Sequence, residues 1–310
     1  MWWNRSDGTL ARGLPRTRRI MPYMMRGRTE SATSMIMEMD LAHSDAFIRK
    51  WNQANPGLRI DIFHLAVWGL RETFTRVPSI NRFVAGGRIY DRKGIWFSYA
   101  VKQKLETGSP LFVVKRRFDT DGSFGEMVEG MAKTQAAHKD GSRPHVEREL
   151  GLLFIFPGFI RRLLMAGVRG LDRVGMLPRS YIENDPMYCS AFFANLASLG
   201  LPAITHHLYE YGTCGAFCVV GRPTTAAGSP TSGPDRRRAM EVSFTFDERA
   251  DDGLAACYAL RRFKQIIEDP EGSGLTVTTI PGGVLNGDSS EVEAANLARA
   301  DLPEQINEPS

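Results

Sequence analysis

The chain has 310 residues, enough to bury a large core as one large domain or two small ones. A formal charge of +4, from 39 basic and 35 acidic residues, is close to balance and gives no reason to expect a nucleic-acid partner. No run of about 18 apolar residues occurs, so no membrane-spanning helix is expected, and the first residues lack the apolar stretch of a secretory signal.

Residues 1–34 carry seven arginines (Arg5, Arg12, Arg16, Arg18, Arg19, Arg26, Arg28) against Asp7 and Glu30. They read as a flexible basic arm that partly packs through Met21, Tyr23, Met24 and Met25, the alternative being an arm for an anionic surface. Ser34 to Asp40 alternates as a strand. Ser44 or Asp45 is placed to cap a helix ended by Pro56-Gly57. Asp61 starts a longer one with Phe63, Val67, Leu70 and Phe74 on one face. His64, beside that face, reads as a satisfied core histidine. Gly86-Gly87 reads as a turn or bulge between paired strands, because no lysine and helix start follow it as in a phosphate loop.

Leu111 to Phe118 is a further strand, and Ser123 is placed to cap the helix after it. Residues 142–185 read as a helical insertion. Leu152, Phe156, Phe159, Leu163 and Leu164 mark one side, and Arg161, Arg162, Arg169 and Arg173 the other. Pro157 predicts a break into two helices. The insertion reads as a hairpin packed on its own domain or on a neighbouring subunit, with peripheral membrane contact through 152–173 as the alternative. Strands follow around Phe192 and Phe217. The four cysteines (Cys189, Cys214, Cys218, Cys257) lie among apolar residues without paired CxxC spacing. They read as reduced core thiols of a cytoplasmic protein, with no metal site expected.

Val242, Phe244 and Phe246 alternate with Ser243 and Thr245 as a half-buried strand. After a charged loop, Asp251 or Asp252 is placed to cap a helix with Ala256, Ala259, Leu260, Phe263 and Ile267 on one face, closed by Pro270. Residues 271–310, Gly-rich and then acidic, predict a disordered tail.

The loop Asp247-Glu248-Arg249-Ala250-Asp251-Asp252-Gly253, with its helix Leu260-Arg261-Arg262-Phe263, resembles the D-H-R-x-x-D/N-G signature of the 2-oxo acid dehydrogenase E2 acyltransferases, whose fold is shared with chloramphenicol acetyltransferase. Pro78-Ser79-Ile80-Asn81-Arg82 and Asn195-Leu196-Ala197-Ser198-Leu199-Gly200 resemble two further segments of that family, and the resemblance covers residues 35–270 around the insertion. It implies an α/β fold, a mixed sheet flanked by helices in one domain. It also implies acyl-CoA as acyl donor and a homotrimer or higher homo-oligomer with the active-site channel between subunits, for which Phe192, Phe193 and Phe217 supply apolar surface. Glu248 stands where the family has its general-base histidine, and Asp252 at the motif's aspartate or asparagine. Ala194 stands at the position of the oxyanion serine, followed by Asn195. His206-His207 lacks the later aspartate of an H-H-x-x-x-D-G motif. The segment ahead of Met35 is too short for a lipoyl-lysine domain.

A histidine near pKa 6.5 is matched to a thiol near 8.5, whereas an ordinary glutamate near 4.3 falls short by about 4 units unless burial lifts it. Without a serine hydroxyl, an oxyanion donor of a kind worth about 2.7–4 kcal/mol is missing as well. The first expectation is therefore a non-standard or inactive acyltransferase serving as an assembly or binding module. Two alternatives stand beside it: an active acyl-CoA-dependent acyltransferase with Glu248 as base, and a membrane-peripheral protein. Glu248 is expected to pair with Arg249, and Asp252 to cap the helix or pair with an arginine.

Overall fold

A computed structural model describes residues 5–102, 111–139, 154–226 and 237–280. The elements are β1 (Gly8–Leu10), α1 (Arg16–Met24), β2 (Ala32–Asp40), α2 (Ala42–Ala54), α3 (Ile62–Arg76), β3 (Phe83–Ala85), β4 (Arg88–Arg92), β5 (Ile95–Lys102) and β6 (Leu111–Phe118). There follow α4 (Phe124–Lys139), α5 (Gly158–Val174), α6 (Arg179–Asn184), β7 (Ala191–Asn195), β8 (Ala216–Thr225), β9 (Arg238–Asp247) and α7 (Gly253–Glu268). Six strands form a mixed sheet in the order β2-β9-β8-β7-β5-β6, with β7 parallel to β5 and β8 and the other pairs antiparallel. A small antiparallel sheet, β1-β4-β3, stands beside it. This is the α/β architecture of the chloramphenicol-acetyltransferase type.

Strand alternation divides the large sheet into two faces. Val242 and Phe244 of β9, Cys218 and Val220 of β8 and Phe193 of β7 meet α2, α3, α4 and α7 in the main core, around Trp51, Phe97 and Phe263. Phe192, Phe217 and Val219 point the other way, onto Leu208 and Cys214 of the connecting segment. The helices begin where side chains satisfy their first amides. The Asp61 carboxylate accepts from the Phe63 and His64 amides while His64 Nδ1 accepts from the Asp61 amide, completing a capping box. Ser123 and Glu126 form the same reciprocal pair at α4. Helix α2 starts earlier than its sequence suggests, at Ala42. Ser44 and Asp45 therefore lie inside its first turn, and Ser44 Oγ instead donates to the Ile267 carbonyl of α7.

The basic arm is part of the fold rather than a flexible extension. Its β1 pairs with β4, and Arg5 is buried, bonding Asp7 (2.8 Å) and Asp172 of α5 (2.6 Å). Arg28 is buried as well. The tail also packs where it is described: Leu275 is buried, and Val277 and Ile280 lie against the core. Residues 281–310 lie outside the described residues. Cys257 is exposed on α7 rather than in the core, and the other three cysteines are buried. Helix α5 begins immediately after Pro157, where a break was expected, while residues 142–153 of the insertion lie outside the described residues.

Two measurements test these contacts. Arg5→Met leaves Asp7 and Asp172 uncompensated, and denaturant unfolding should show a loss of about 3 kcal/mol or more. Lys115 of β6 donates to the Ile182 and Asp185 carbonyls at the end of α6 (2.5 and 3.1 Å), and burial lowers its pKa to about 8. The unfolded chain then binds the extra proton between that value and 10.5, so stability should rise as pH is raised through this window. Lys115→Met should remove that rise in pH-dependent unfolding.

Candidate functional site

Strand β9 carries its alternation to Asp247, which is buried at the strand's end. The Asp247 carboxylate accepts two bonds from the Arg249 guanidinium (2.8 and 2.7 Å) and one from Ser31 Oγ (2.9 Å). Arg28 Nε lies 4.0 Å away, and its outer nitrogens donate to the Val84 and Glu210 carbonyls (3.0 and 3.1 Å). Burial lowers the pKa of Arg28, and the Asp247 charge opposes that shift. Arg249 also donates to the Arg26 carbonyl (3.2 Å). The loop is thus bound to the segment preceding β2. Arg249 pairs with Asp247 and not, as its neighbour in sequence suggested, with Glu248.

Glu248 is half-buried just past the strand. Its backbone amide donates to Ser31 and its carbonyl accepts from Arg18 (2.7 Å), while its carboxylate accepts from Thr33 Oγ1 (3.2 Å). Asp252 caps α7 by accepting from the Ala255 amide at 2.9 Å. Asp251 is the less expected member: its Oδ2 is buried without a hydrogen-bond partner among the described residues, and its Oδ1 lies 4.0 Å from Arg82. The motif resemblance singled out Asp252 and gave Asp251 no role beyond a candidate cap. Both carboxylates, with Thr245, Asp247 and Arg82, border an apolar cavity of about 50 Å³ between β9, α3 and α7, floored by Phe74, Phe244 and Leu260. Glu248 does not line it.

Ala194 and Asn195 end β7 elsewhere. Ala194 packs with the Phe192–Phe217 cluster on the sheet face away from the helices, and Asn195 Oδ1 accepts from the Ser198 amide (3.2 Å) in a local turn. Strand register aligns Ala194 with Val219 and Val219 with Ser243. Glu248 lies five residues beyond Ser243, roughly 16 Å along the strand at about 3.3 Å per residue. Its partner Thr33 is on the helix-facing side of β2, with Met35. The expected site residues therefore fall into two groups: Glu248 and Asp252 at one loop, Ala194 and Asn195 on the other face. A single chain does not bring the groups together. Phe192, Phe193 and Phe217, expected to supply an interface, are buried within the chain. His206 stacks on Phe217 with ring centroids 3.8 Å apart.

Asp247→Ala should leave Arg28 and Arg249 without their carboxylate and cost about 3–5 kcal/mol in denaturant unfolding. Glu248→Gln, at a half-exposed position with one weak side-chain bond, should stay within about 0.5 kcal/mol of wild type in the same measurement.

No protein-family model matches the chain, and no curated protein matches it in sequence. Solved structures do match in fold. The dihydrolipoamide acetyltransferase of Azotobacter vinelandii was solved in work on a serine, a histidine and an asparagine in its catalytic mechanism. It is 14% identical, with a TM-score of 0.56 over 86% of this chain and 95% of that one. A probable dihydrolipoamide acetyltransferase from Listeria monocytogenes gives 13% and 0.54 over 85% and 93%. The cubic core of a pyruvate dehydrogenase multienzyme complex gives 13% and 0.54 over 86% and 95%. At these identities the likeness is one of fold: this chain has the E2 acyltransferase and chloramphenicol-acetyltransferase architecture over most of its length.

Proposed function

We propose that the chain is an oligomeric assembly or binding module on the E2 acyltransferase fold, without the standard transfer of acyl groups to thiols. The observation that carries this reading is how the motif's residues are used. Asp247 and Arg249 hold the loop to the segment preceding β2, and Asp252 caps α7, so each has a structural task. At the position the resemblance gives to the base stands Glu248, a carboxylate outside the cavity, and Ala194 brings no hydroxyl to the oxyanion position. A homotrimer is supported by the assembled core formed by one structural relative.

A second reading, an acyl-CoA-dependent acyltransferase with Glu248 as base, is favoured by one spacing. The histidine and asparagine of the Azotobacter enzyme are four positions apart, as are Glu248 and Asp252.

Incubating the purified chain with acetyl-CoA and dihydrolipoamide, and separating S-acetyldihydrolipoamide and free CoA from the reactants by chromatography, decides between the two. The proposed module should show no turnover above the uncatalysed rate, and Glu248→Gln should leave assembly unchanged. Turnover by wild type that falls by about 10²–10⁴-fold in Glu248→Gln would establish the second reading instead. Light scattering should give the mass of a trimer or a multiple of it, and a monodisperse monomer at micromolar concentration would remove the oligomeric part.

A further inference from the structure

We infer that α1 and α5 together form a docking surface for an anionic membrane, with α5 lying flat in the headgroup layer. Helix α5 has no buried residue. Its inner side is held by Val168, which packs near Tyr188, and by Asp172, which is bonded to Arg5. Phe159, Leu163 and Val174 fall on the side turned away from the protein and are 71, 71 and 52% exposed, and Leu164 and Leu171 border it at 44 and 43%. Arg162, Arg169 and Arg173 lie along one flank, and all are exposed. The turn that leads into the helix, Phe154 to Phe156, is exposed too.

Helix α1 extends the same surface. A Cβ placed on Gly86 would lie 2.1 Å from the Arg173 carbonyl oxygen, and one on Gly87 would lie 3.3 Å from the Tyr23 ring. The β3–β4 turn therefore touches the C-terminal ends of both helices. On α1, Ile20, Tyr23 and Met24 are 48, 65 and 66% exposed, beside exposed Arg16 and Arg19.

Charge decides the occupant. Helix α1 carries no acidic residue, and α5 carries only Asp172, which Arg5 already engages. A second copy docked face to face would set arginines against arginines. An anionic bilayer supplies what both kinds of side chain require: acyl chains for the apolar face and phosphates for the guanidinium flank. No helix among the described residues is long and apolar enough to cross a membrane, so the contact is interfacial.

The test is sedimentation of the full chain with vesicles of phosphatidylcholine alone or of equal parts phosphatidylcholine and phosphatidylglycerol. Binding to the mixed vesicles is expected, falling by at least about tenfold on neutral vesicles and in Arg162→Glu/Arg169→Glu. It should fall as far in Phe159→Asp/Leu163→Asp, whose side chains are largely exposed and whose circular dichroism should match wild type. Folded wild type that stays in solution with mixed vesicles would overturn the inference. So would equal binding to both vesicle types, or binding that the Asp variant leaves intact. Lipid-independent self-association lost in the Asp variant would assign the surface to a second copy instead.

Discussion

The buried carboxylate of Asp247 is the group on which the rest of the structure depends. It ends the strand that pairs with both β2 and β8, and the adjacent Arg249 converges on it together with Arg28 and Ser31 from the distant segment before β2. A charge removed from water is tolerated only with such partners, and taking one away leaves the others uncompensated. The extra positive charge of the cluster is spread over carbonyls of Val84, Tyr209, Glu210 and Arg26. One ion cluster therefore fixes the small sheet, the connecting segment and the loop after β9 relative to one another. With that loop fixed, α7 starts at Asp252 and packs Phe263 against Phe244 with ring centroids 4.8 Å apart.

This dependence separates two kinds of residue within one short motif. Asp247, Arg249 and Asp252 serve the fold, and they match the E2 signature. Glu248 accepts one bond from Thr33, with no structural partner of comparable weight. In the proposed reading the scaffold is retained for what it presents at its surfaces, while the position that would move a proton has been released from that task.

Local pattern made much of this legible. It located β2 and β6 within about two residues and the C-terminal part of β9, though not its first residues from Arg238, and capping chemistry located α3, α4 and α7, because those signals act over a few neighbouring residues. The errors arose where a residue's partner is remote. Arg5 is taken up by Asp172, 167 residues away, and Ser44 by Ile267, 223 away, so neither the folded arm nor the earlier start of α2 is visible in a short window. Arg249 has carboxylates on both sides in sequence, and only the backbone direction at the end of β9 selects Asp247. For the candidate site, the motif identified the loop, but the unpartnered Asp251 oxygen and the cavity beside it emerge only when α3 and α7 meet β9.

The pairing of β2 with β9 also bears on how the molecule is made. Ala32 is in register with Asp247, so the edge strand waits through more than two hundred residues of synthesis for β9, its sheet neighbour. Until then it presents nine residues of unpaired backbone, with Met35, Met37 and Met39 lacking their core. Contacts so far apart in sequence form slowly, and an open strand edge is a site for mispairing with other chains. The backbone of β2 therefore stays open to mispairing until β9 has been made.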